Sequence, residues 1–324
     1  MKLKHKVLEF LEENNTEYLS GNEIAKKLGV SRTAVWKAIK LLRKDGYEIS
    51  AATNNGYRIE RSGDILSPGG ILRYIKTEGV FIVETSNLVT STSTVLRAEA
   101  AKGAPEGYVL AAEAQSEGKG RLGRKWYSPP GNAAYFSVIL RPKIKAENAT
   151  LITVAAAVAV AKAIEYIFDV HVGIKWVNDI FLNGKKVSGI LTEATLDMES
   201  GMIDSIVLGI GINVTKPTAG YPEELSDLVT AVTDRTEGRD SERCKLIAAT
   251  LDYFWHYYKN LSKRDFLSEY RKHSILIGRE INVLTGSNEK SAEALAIDDE
   301  CGLVVRYEDG STETLRYGQV SVKV

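Results

Sequence analysis

The 324-residue sequence contains little of the chemistry that builds disulfide frameworks or metal motifs. Its two cysteines, Cys244 and Cys301, lie far apart in ordinary contexts. This excludes a disulfide framework and a cysteine-based zinc site, and it fits a reducing cytoplasm. The histidines are scattered without metal-ligand spacing, so we expect them to have surface or packing roles. They are His5, His171, His256 and His273.

The chain also lacks a surplus of charge of either sign and a long hydrophobic run. Lysine plus arginine and aspartate plus glutamate both number 42, so any DNA contact needs a local basic patch. The most apolar run, residues 151–161, is too short to span a bilayer and is predicted to lie in a buried helix. Charged residues interrupt residues 1–15, so no signal peptide is expected there. We expect a cytoplasmic chain of two or three domains with no membrane partner.

The first thirty residues predict a helix, a capped helix and a glycine turn. Apolar residues recur at helical spacing in KHKVLEFLEEN, residues 4–14. Ser20 and Glu23 form a capping box at the start of a second, short helix. Gly29 stands where that helix has to end and turn. With the helix that follows, this pattern indicates a helix-turn-helix.

A basic helix and a hairpin come next. The helix begins at Ser31, and its core-facing residues are Val35, Ile39 and Leu42. YEISAATNNGYRIE, residues 47–60, predicts two strands with Asn54-Asn55-Gly56 at the tip, which is the wing of a winged helix-turn-helix. We therefore predict DNA binding, against the alternative of a small helical packing module with solvated lysines. The candidate phosphate and base contacts are Ser31, Arg32, Thr33, Lys37 and Lys40.

A glycine-rich loop, GKGRLGRKW at residues 118–126, matches the dinucleotide-binding pattern G-x-G-x-x-G. That pattern needs a strand before it and a helix after it. Residues 108–115 predict the strand, but Pro129-Pro130-Gly131 indicates a turn where the helix should begin. The Rossmann interpretation is therefore excluded. What remains is a flexible loop with four cations, suited to a phosphate: Lys119, Arg121, Arg124 and Lys125.

The central region, from about residue 70 to 270, alternates strands and helices and predicts an α+β domain with a mainly antiparallel or mixed sheet. Long helices are predicted in 149–168 and 242–261, and a further strand in 204–214. Residues 171–196 predict strand, Asn183-Gly184 hairpin turn and strand.

Four polar clusters interrupt this apolar pattern: TSTST (90–94), the glycine-rich loop, KWVND (175–179) and GKKVSGI (184–190). Each has an ordinary alternative explanation, namely a helix cap, a solvated lysine, or strand packing by a tryptophan beside a snorkelling lysine. Together their cations could converge on one polyanion, and Asn178 and Asp179 add oxygen ligands of the type Mg²⁺ prefers. No P-loop, kinase or protein-nucleophile motif is present, so the composition favours electrostatic positioning of a phosphate-bearing substrate.

These motifs, in this order and spacing, resemble the bifunctional biotin protein ligases that are also biotin operon repressors. The resemblance covers essentially the whole chain. It implies a winged helix-turn-helix over 1–62, a biotin- and ATP-binding ligase domain over 63–275, and a small SH3-like β barrel over 276–324. Residues 61–70 are expected to be the linker. Short alternating strands with glycine turns in the last segment agree with the barrel.

The resemblance also implies a reaction and its site. Such ligases join biotin to ATP, release pyrophosphate, and transfer biotin from biotinyl-5′-AMP to a lysine of a biotin carboxyl carrier domain of a carboxylase. Lys186 and Arg121 are the expected catalytic residues. The expected biotin contacts are Ser91, Thr92, Ser93, Gln115, Lys119, Gly120, Arg121, Lys186 and Gly189. The expected ATP or adenylate contacts are Arg121, Arg124, Trp126, Lys175, Asn178 and Asn213, with Asp179 at Mg²⁺.

In this family biotin is both substrate and corepressor precursor, since biotinyl-5′-AMP favours the homodimer that binds operator DNA. Two departures stand out: Lys119 replaces the usual first arginine of the loop, and Ser93 replaces an asparagine. Lysine keeps the charge but loses the planar fork of arginine. Two alternatives stay open, namely a DNA-binding biotin sensor whose ligase activity has decayed, and a lipoate or octanoate ligase of the same fold.

Overall fold

The computed structural model describes most residues of the chain. These are 3–14, 16–44, 47–52, 55–61, 64–197, 201–235, 241–285, 288–316 and 321–323. They form nine α-helices and three β-sheets, which contain two, seven and five strands. The fold is α+β, with a winged helix-turn-helix, a mixed central sheet and a C-terminal antiparallel sheet, as predicted.

The N-terminal part is the predicted winged helix-turn-helix. Its elements are α1 (Leu3–Glu13), α2 (Gly21–Leu28), α3 (Arg32–Lys44), β1 (Glu48–Ala52) and β2 (Gly56–Arg61). The capping box is confirmed, because the Ser20 hydroxyl accepts from the Glu23 N–H at 3.1 Å and the Glu23 carboxylate accepts from the Ser20 N–H at 3.4 Å. Gly29 ends α2 in the left-handed conformation, with φ at 65°. The core of this part is built around Val7, Leu8, Leu11, Val35, Ile39 and Leu42.

The wing is fastened to the segment before α2. Leu19 and Tyr57 exchange two backbone hydrogen bonds of 2.8 Å each. Gly56 has φ at 104°, and a Cβ atom there would lie 2.1 Å from the Leu19 carbonyl oxygen, so the close approach requires glycine. Of the predicted tip, Asn54 lies outside the described residues.

The central sheet has seven strands in the order β3-β4-β5-β9-β8-β7-β6. Its strands are β3 (Ile82–Val89), β4 (Tyr108–Gln115), β5 (Ala133–Leu140), β6 (Gly173–Lys175), β7 (Asp179–Leu182), β8 (Lys185–Leu196) and β9 (Ile203–Asn213). Strands β3 and β4 run parallel, and the other neighbours run antiparallel, so the sheet is mixed. The helices of this part are α4 (Pro68–Leu72), α5 (Thr92–Ala101), α6 (Ala149–Phe168), α7 (Glu223–Ser226), α8 (Glu242–Lys259) and α9 (Phe266–His273).

Helix α6 is the centre of the core. The stretch Ala146–Phe168 is long and apolar enough to cross a membrane. However, 72% of its most apolar 18-residue segment is buried inside the protein. The helix packs against α8, α9 and β8. Its apolar composition therefore serves a core helix, as predicted.

Two local predictions need correction. The single strand expected before the Asn183-Gly184 turn is two strands, β6 and β7, because Trp176 and Asn178 between them are held by contacts with distant residues. The alternative explanation of the Ser/Thr run as a helix cap is met in position only, because Ser91 stands at the start of α5 but its hydroxyl makes no capping hydrogen bond. The expected linker at 61–70 ends within α4, and its residue Asp64 is paired with Arg243 of α8 at 3.0 Å.

The C-terminal part is a five-stranded antiparallel sheet in the order β13-β12-β11-β10-β14. Its strands are β10 (Glu280–Thr285), β11 (Asn288–Ile297), β12 (Leu303–Tyr307), β13 (Thr312–Leu315) and β14 (Ser321–Lys323). The Trp176 indole N–H donates to the Cys301 carbonyl at 2.9 Å and joins this sheet to the centre. Closure into an SH3-like barrel and the domain boundaries after residues 62 and 275 stay predictions.

Candidate active site

A cavity of about 770 Å³ opens on the central sheet. All the residues predicted from sequence for biotin, ATP and metal line it, although they come from five separate segments of the chain. These residues are Ser91, Thr92, Ser93, Gln115, Lys119, Gly120, Arg121, Arg124, Trp126, Lys175, Asn178, Asp179, Lys186, Gly189 and Asn213. The structure thus brings the four polar clusters together.

One end of the cavity is a buried, uncharged polar corner. The Gln115 side-chain oxygen accepts from the Thr92 N–H at 2.9 Å and from the Thr92 hydroxyl at 3.2 Å. Ser137 donates to the Thr92 hydroxyl oxygen at 2.8 Å and lies 3.1 Å from the hydroxyl of Ser93. Ser91, Thr92 and Ser93 are all buried. The Ser/Thr run therefore presents fixed hydroxyl and amide groups to the cavity.

The glycine-rich loop folds back on itself along one side of the cavity. The Gly120 N–H donates to the Arg124 carbonyl at 2.7 Å, and the Trp126 N–H donates to the Gly118 carbonyl at 2.8 Å. A short 3₁₀ turn, Arg121–Gly123, forms its tip. No α-helix follows the loop before β5, which confirms that the Rossmann interpretation fails.

Arg121 and Asn178 connect the loop to the KWVND cluster. The Arg121 guanidinium donates to the Asn178 side-chain oxygen at 3.1 Å. The Asn178 amide in turn donates to the Ile190 carbonyl at 2.7 Å, and the Ile190 N–H donates to the Asn178 carbonyl at 3.0 Å. Asn178 is buried, so this amide is held in one orientation.

Lys186 lies just after the Asn183-Gly184 turn, where both residues have positive φ, at 51° and 78°. Its ammonium nitrogen is 2.7 Å from a carboxylate oxygen of Asp179 and 5.3 Å from the centre of the Trp126 ring. Its backbone is also held, because its N–H donates to the Leu228 carbonyl at 3.0 Å. The side chain therefore reaches the cavity from a fixed base.

Lys175 is a partly desolvated cation of the site, and its pKa is lowered. Burial lowers the pKa of its ammonium group, and the neighbouring charge of Asp179 opposes that effect. The positive charges of Lys186 and Arg124 lower the pKa further. A site with this excess of positive charge is prepared for an anion, because an anion would relieve the repulsion.

The Trp126 ring lies directly against the backbone of two glycines, Gly189 and Gly211. A Cβ atom on Gly189 or Gly211 would approach the ring to 2.9 Å or 2.6 Å. The indole nitrogen of Trp126 is buried and has no hydrogen-bond partner among the described residues. The Asn213 amide nearby donates to the Thr230 carbonyl at 3.2 Å.

The predicted DNA-binding residues lie together on the exposed side of α3 and at its start. Ser31, Arg32, Thr33, Lys37 and Lys40 are all exposed. Trp36, which sequence reasoning did not single out, is 51% exposed on the same helix, and the Lys40 ammonium lies 5.4 Å from its ring centre. The helix thus presents cations and one large aromatic ring to solvent.

Three successive parts of the chain match known protein families. Residues 4–58 match a helix-turn-helix (HTH) domain, residues 86–213 match the biotin/lipoate A/B protein ligase family, and residues 276–323 match the biotin protein ligase C-terminal domain. The bifunctional ligase/repressor BirA of Bacillus subtilis is 35% identical over 313 residues, which are 95% of this chain and 95% of that protein. This chain belongs to the bifunctional ligase/repressor family.

Two further relatives support the assignment. BirA of Escherichia coli is 27% identical over 316 residues, covering 95% of this chain and 94% of that protein. A solved structure of the biotin protein ligase from Aquifex aeolicus, in complex with biotin and ATP, superposes with a TM-score of 0.62 at 27% identity. It covers 74% of this chain and 98% of that protein. The present chain therefore combines a ligase with a repressor.

This ligase/repressor also has cavity residues that sequence reasoning missed. Tyr221, Leu225, Leu228 and Val229 come from a segment with no recognisable motif. Ile275 and Arg279 come from the connection into the C-terminal sheet. Local patterns could not reveal these residues, because they reach the cavity only through the packing of the whole chain.

Proposed function

We propose that this ligase/repressor joins biotin to ATP and transfers biotin from biotinyl-5′-AMP to a lysine of a biotin carboxyl carrier domain. The observation that carries the proposal is a cavity with a neutral polar corner at one end and converging cations at the other. Biotin has a neutral ring system and a carboxylate tail, and ATP adds phosphates beside that carboxylate. The Aquifex ligase in complex with biotin and ATP supports both ligands.

The polar corner suits the biotin ring system. Ser91, Thr92, Ser93 and Gln115 offer hydroxyl and amide groups in fixed positions, so uncharged donors and acceptors of a ligand can be paired there without a buried charge. Gly120 and Gly189 line the same cavity and are the remaining proposed biotin contacts. The carboxylate tail would then extend toward Lys119, Arg121 and Lys186.

The cations suit the chemistry of both steps. In the first step a biotin carboxylate oxygen attacks the α-phosphorus of ATP, and pyrophosphate leaves. In the second step the amine of the acceptor lysine attacks the acyl carbon, loses a proton, and AMP leaves. Negative charge grows on phosphate oxygens in the first step and on the acyl oxygen in the second. Lys186 and Arg121 are positioned to stabilise that charge.

Trp126 and Asn213 are the proposed adenine contacts, and Arg124, Lys175 and Asn178 the proposed phosphate contacts. Mg²⁺ is usually held by one or two carboxylates together with substrate phosphates. Asp179 fits this requirement, because its carboxylate lines the cavity beside the proposed phosphate position. Asp179 would hold the ion, which would neutralise phosphate charge when bound.

The ligase proposal is tested by incubating the full chain with labelled biotin, ATP, Mg²⁺ and a carrier domain. Expected results are pyrophosphate release that depends on biotin and ATP, and label on the carrier lysine. Lipoate and octanoate serve as competing acids. Transfer of either one in preference to biotin would indicate a ligase of another acid, and absence of pyrophosphate release would indicate a biotin sensor with decayed ligase activity.

We also propose that the repressor acts as a homodimer on operator DNA in the cytoplasm, with biotinyl-5′-AMP as corepressor. One recognition helix on a chain with no net charge binds DNA weakly, whereas a symmetric pair contacts two half-sites and gains effective concentration. The adenylate can favour the dimer only if it binds the dimerising conformation more tightly.

This coupling is tested by sedimentation and by binding to a palindromic operator, each with and without biotinyl-5′-AMP. The adenylate should strengthen both self-association and DNA binding. A chain lacking residues 1–62 should lose DNA binding and keep much of its ligase activity. Equal dimerisation and equal operator binding without the ligand would show that the coupling is absent.

A further inference from the structure

Two histidines and one glutamate converge at the far end of α6, outside the ligand cavity. The Glu165 carboxylate lies 2.8 Å from Nδ1 of His171, and its two oxygens lie 3.2 and 3.3 Å from Nε2 of His273. One ligand atom from each residue lies within 4.8 Å of the other two. The Glu165–His171–His273 cluster, as we call it, plays no part in the proposed reaction.

The hydrogen bonds of His273 determine which ring nitrogen faces the cluster. Its Nδ1 lies 2.8 Å from the Glu269 carbonyl oxygen. A carbonyl oxygen only accepts, so Nδ1 carries the proton, and Nε2 points at the Glu165 carboxylate. In a neutral ring this directs a lone pair at carboxylate oxygens. Either a second proton on the ring or a bound cation relieves that repulsion.

A bound cation between Nε2 of His273 and the Glu165 carboxylate would make His273 a typical metal ligand. A metal-binding histidine usually donates its other ring N–H to a carbonyl or carboxylate, which fixes the ring.

We propose that Glu165, His171 and His273 form a binding site for a divalent transition metal ion, Zn²⁺ by preference. Two imidazoles and one carboxylate are a donor set that suits Zn²⁺ better than Mg²⁺ or Ca²⁺. Zinc bonds of 2.0–2.2 Å in a tetrahedral site put neighbouring ligand atoms about 3.3 Å apart. The separations from Nε2 of His273 to the carboxylate match this value.

The 2.8 Å separation between Nδ1 of His171 and the Glu165 carboxylate is shorter than this value, but it can lengthen without a movement of the core. The His171 side chain is 78% exposed, so it can turn away from Glu165 to admit an ion, and solvent water can supply the fourth ligand. His273 is buried and anchors the site. The ion would thus connect a rigid buried ligand, a partly buried carboxylate and an adaptable exposed ligand.

The position of the site indicates a structural role. Glu165 lies in the last turn of α6, and His273 ends α9. Directly after His273, the Ile275 N–H donates to the Ile174 carbonyl of β6 at 3.0 Å, and Ile275 lines the ligand cavity. A bound ion would therefore fasten α6 to the segment that leads from the cavity into the C-terminal sheet.

Calorimetric titration of ZnCl₂ into the full chain, freed of metal by chelation and carrying no histidine tag, tests the proposal. The expected result is saturable binding of one ion per chain, with no comparable binding of MgCl₂. His171→Asn and Glu165→Gln should each weaken zinc binding by at least about tenfold. His256→Asn, which changes an exposed histidine on α8, is the matched control and should bind zinc like the unaltered chain.

Thermal unfolding gives a second readout. Zinc should raise the melting temperature of the unaltered chain and of His256→Asn, and should leave that of His171→Asn unchanged. Because His171 is exposed, its replacement is expected to preserve folding. Absence of saturable zinc binding would overturn the proposal and leave the cluster as a hydrogen-bonded ion pair of His273 and Glu165. Equal affinity in His171→Asn and His256→Asn would overturn it as well.

Discussion

The ammonium nitrogen of Lys186 lies 2.7 Å from a carboxylate oxygen of Asp179, and both side chains are about three-quarters buried. Without ligands the two charges neutralise each other. A phosphate or carboxylate entering beside them has to compete with Asp179 for Lys186, and a divalent ion has to compete with Lys186 for Asp179. The ion pair with Asp179 therefore lowers the free-energy cost of burying the Lys186 ammonium group in the cavity.

Lys186→Ala should lower the rate of adenylate formation far more than it lowers biotin affinity. The reason is that the charge that Lys186 stabilises develops mainly in the transition state, and losing one such donor costs roughly a hundred- to thousandfold in rate. Single-turnover measurement of pyrophosphate release, together with biotin titration, checks this. Lys185→Ala, at an adjacent lysine outside the cavity lining, is the control. An unchanged single-turnover rate in Lys186→Ala would refute the role.

The glycine-rich loop should be protected from proteases when biotin and ATP are added. Its glycines make ordering entropically costly, and its four cations repel each other until an anion arrives. Limited proteolysis at 118–126 with and without ligands measures the effect. Arg121→Gly should release biotinyl-5′-AMP faster, since the bond to Asn178 is lost together with the charge. Cleavage at the same rate in both conditions would contradict the prediction.

Affinity for biotinyl-5′-AMP should fall as the pH rises through the lowered pKa of Lys175. The phosphate of the ligand favours the charged form of Lys175, so it raises that pKa, and binding takes up a proton. Above the lowered pKa of the free protein, that proton has to be taken from solvent, which weakens binding. Titrations over a pH series check this. Lys175→Arg, which keeps its charge, should give a flatter profile.

Arg243→Ala should destabilise the fold by about 3–5 kcal/mol, because it leaves two carboxylates without their buried cation. Arg243 lies 3.0 Å from Asp64 and 2.7 Å from Glu113, and its side chain is 3% exposed. Lys102→Ala, which breaks an exposed pair with Glu99, should cost no more than about 1 kcal/mol. Urea unfolding of both variants measures the difference. Equal losses would show that the buried pair adds nothing beyond a surface pair.

Much of the fold could be predicted because its signals are local. Strand β4 and helix α6 have the bounds that their hydrophobic patterns indicate, and the capping box of α2 lies within four residues. The motifs likewise identified the cavity-lining clusters. Their charges indicated that the clusters could converge on one polyanion, and the family resemblance assigned biotin or ATP to each of them.

The rest depends on contacts between distant residues. The break between β6 and β7 follows from bonds that Trp176 and Asn178 make with Cys301 and Ile190, which no window of sequence contains. The histidines carry no motif because they are far apart in sequence: His171 lies between α6 and β6, and His273 ends α9. Leu228 holds the backbone of Lys186 from a segment without pattern.

The order of strands in the central sheet has a consequence for how the chain folds. The cavity is assembled from residues between Ser91 and Arg279, and strand β5 pairs with β9, from which it is separated by three other strands in the chain. Such non-local pairings slow folding, because the entropy of loop closure is lost before the contacts form. Ligands that need the finished cavity would bind the native state and not the transition state, so they would slow unfolding and leave the folding rate unchanged. Biotin and ATP would thus prolong the lifetime of the folded chain without helping a newly made chain to reach it.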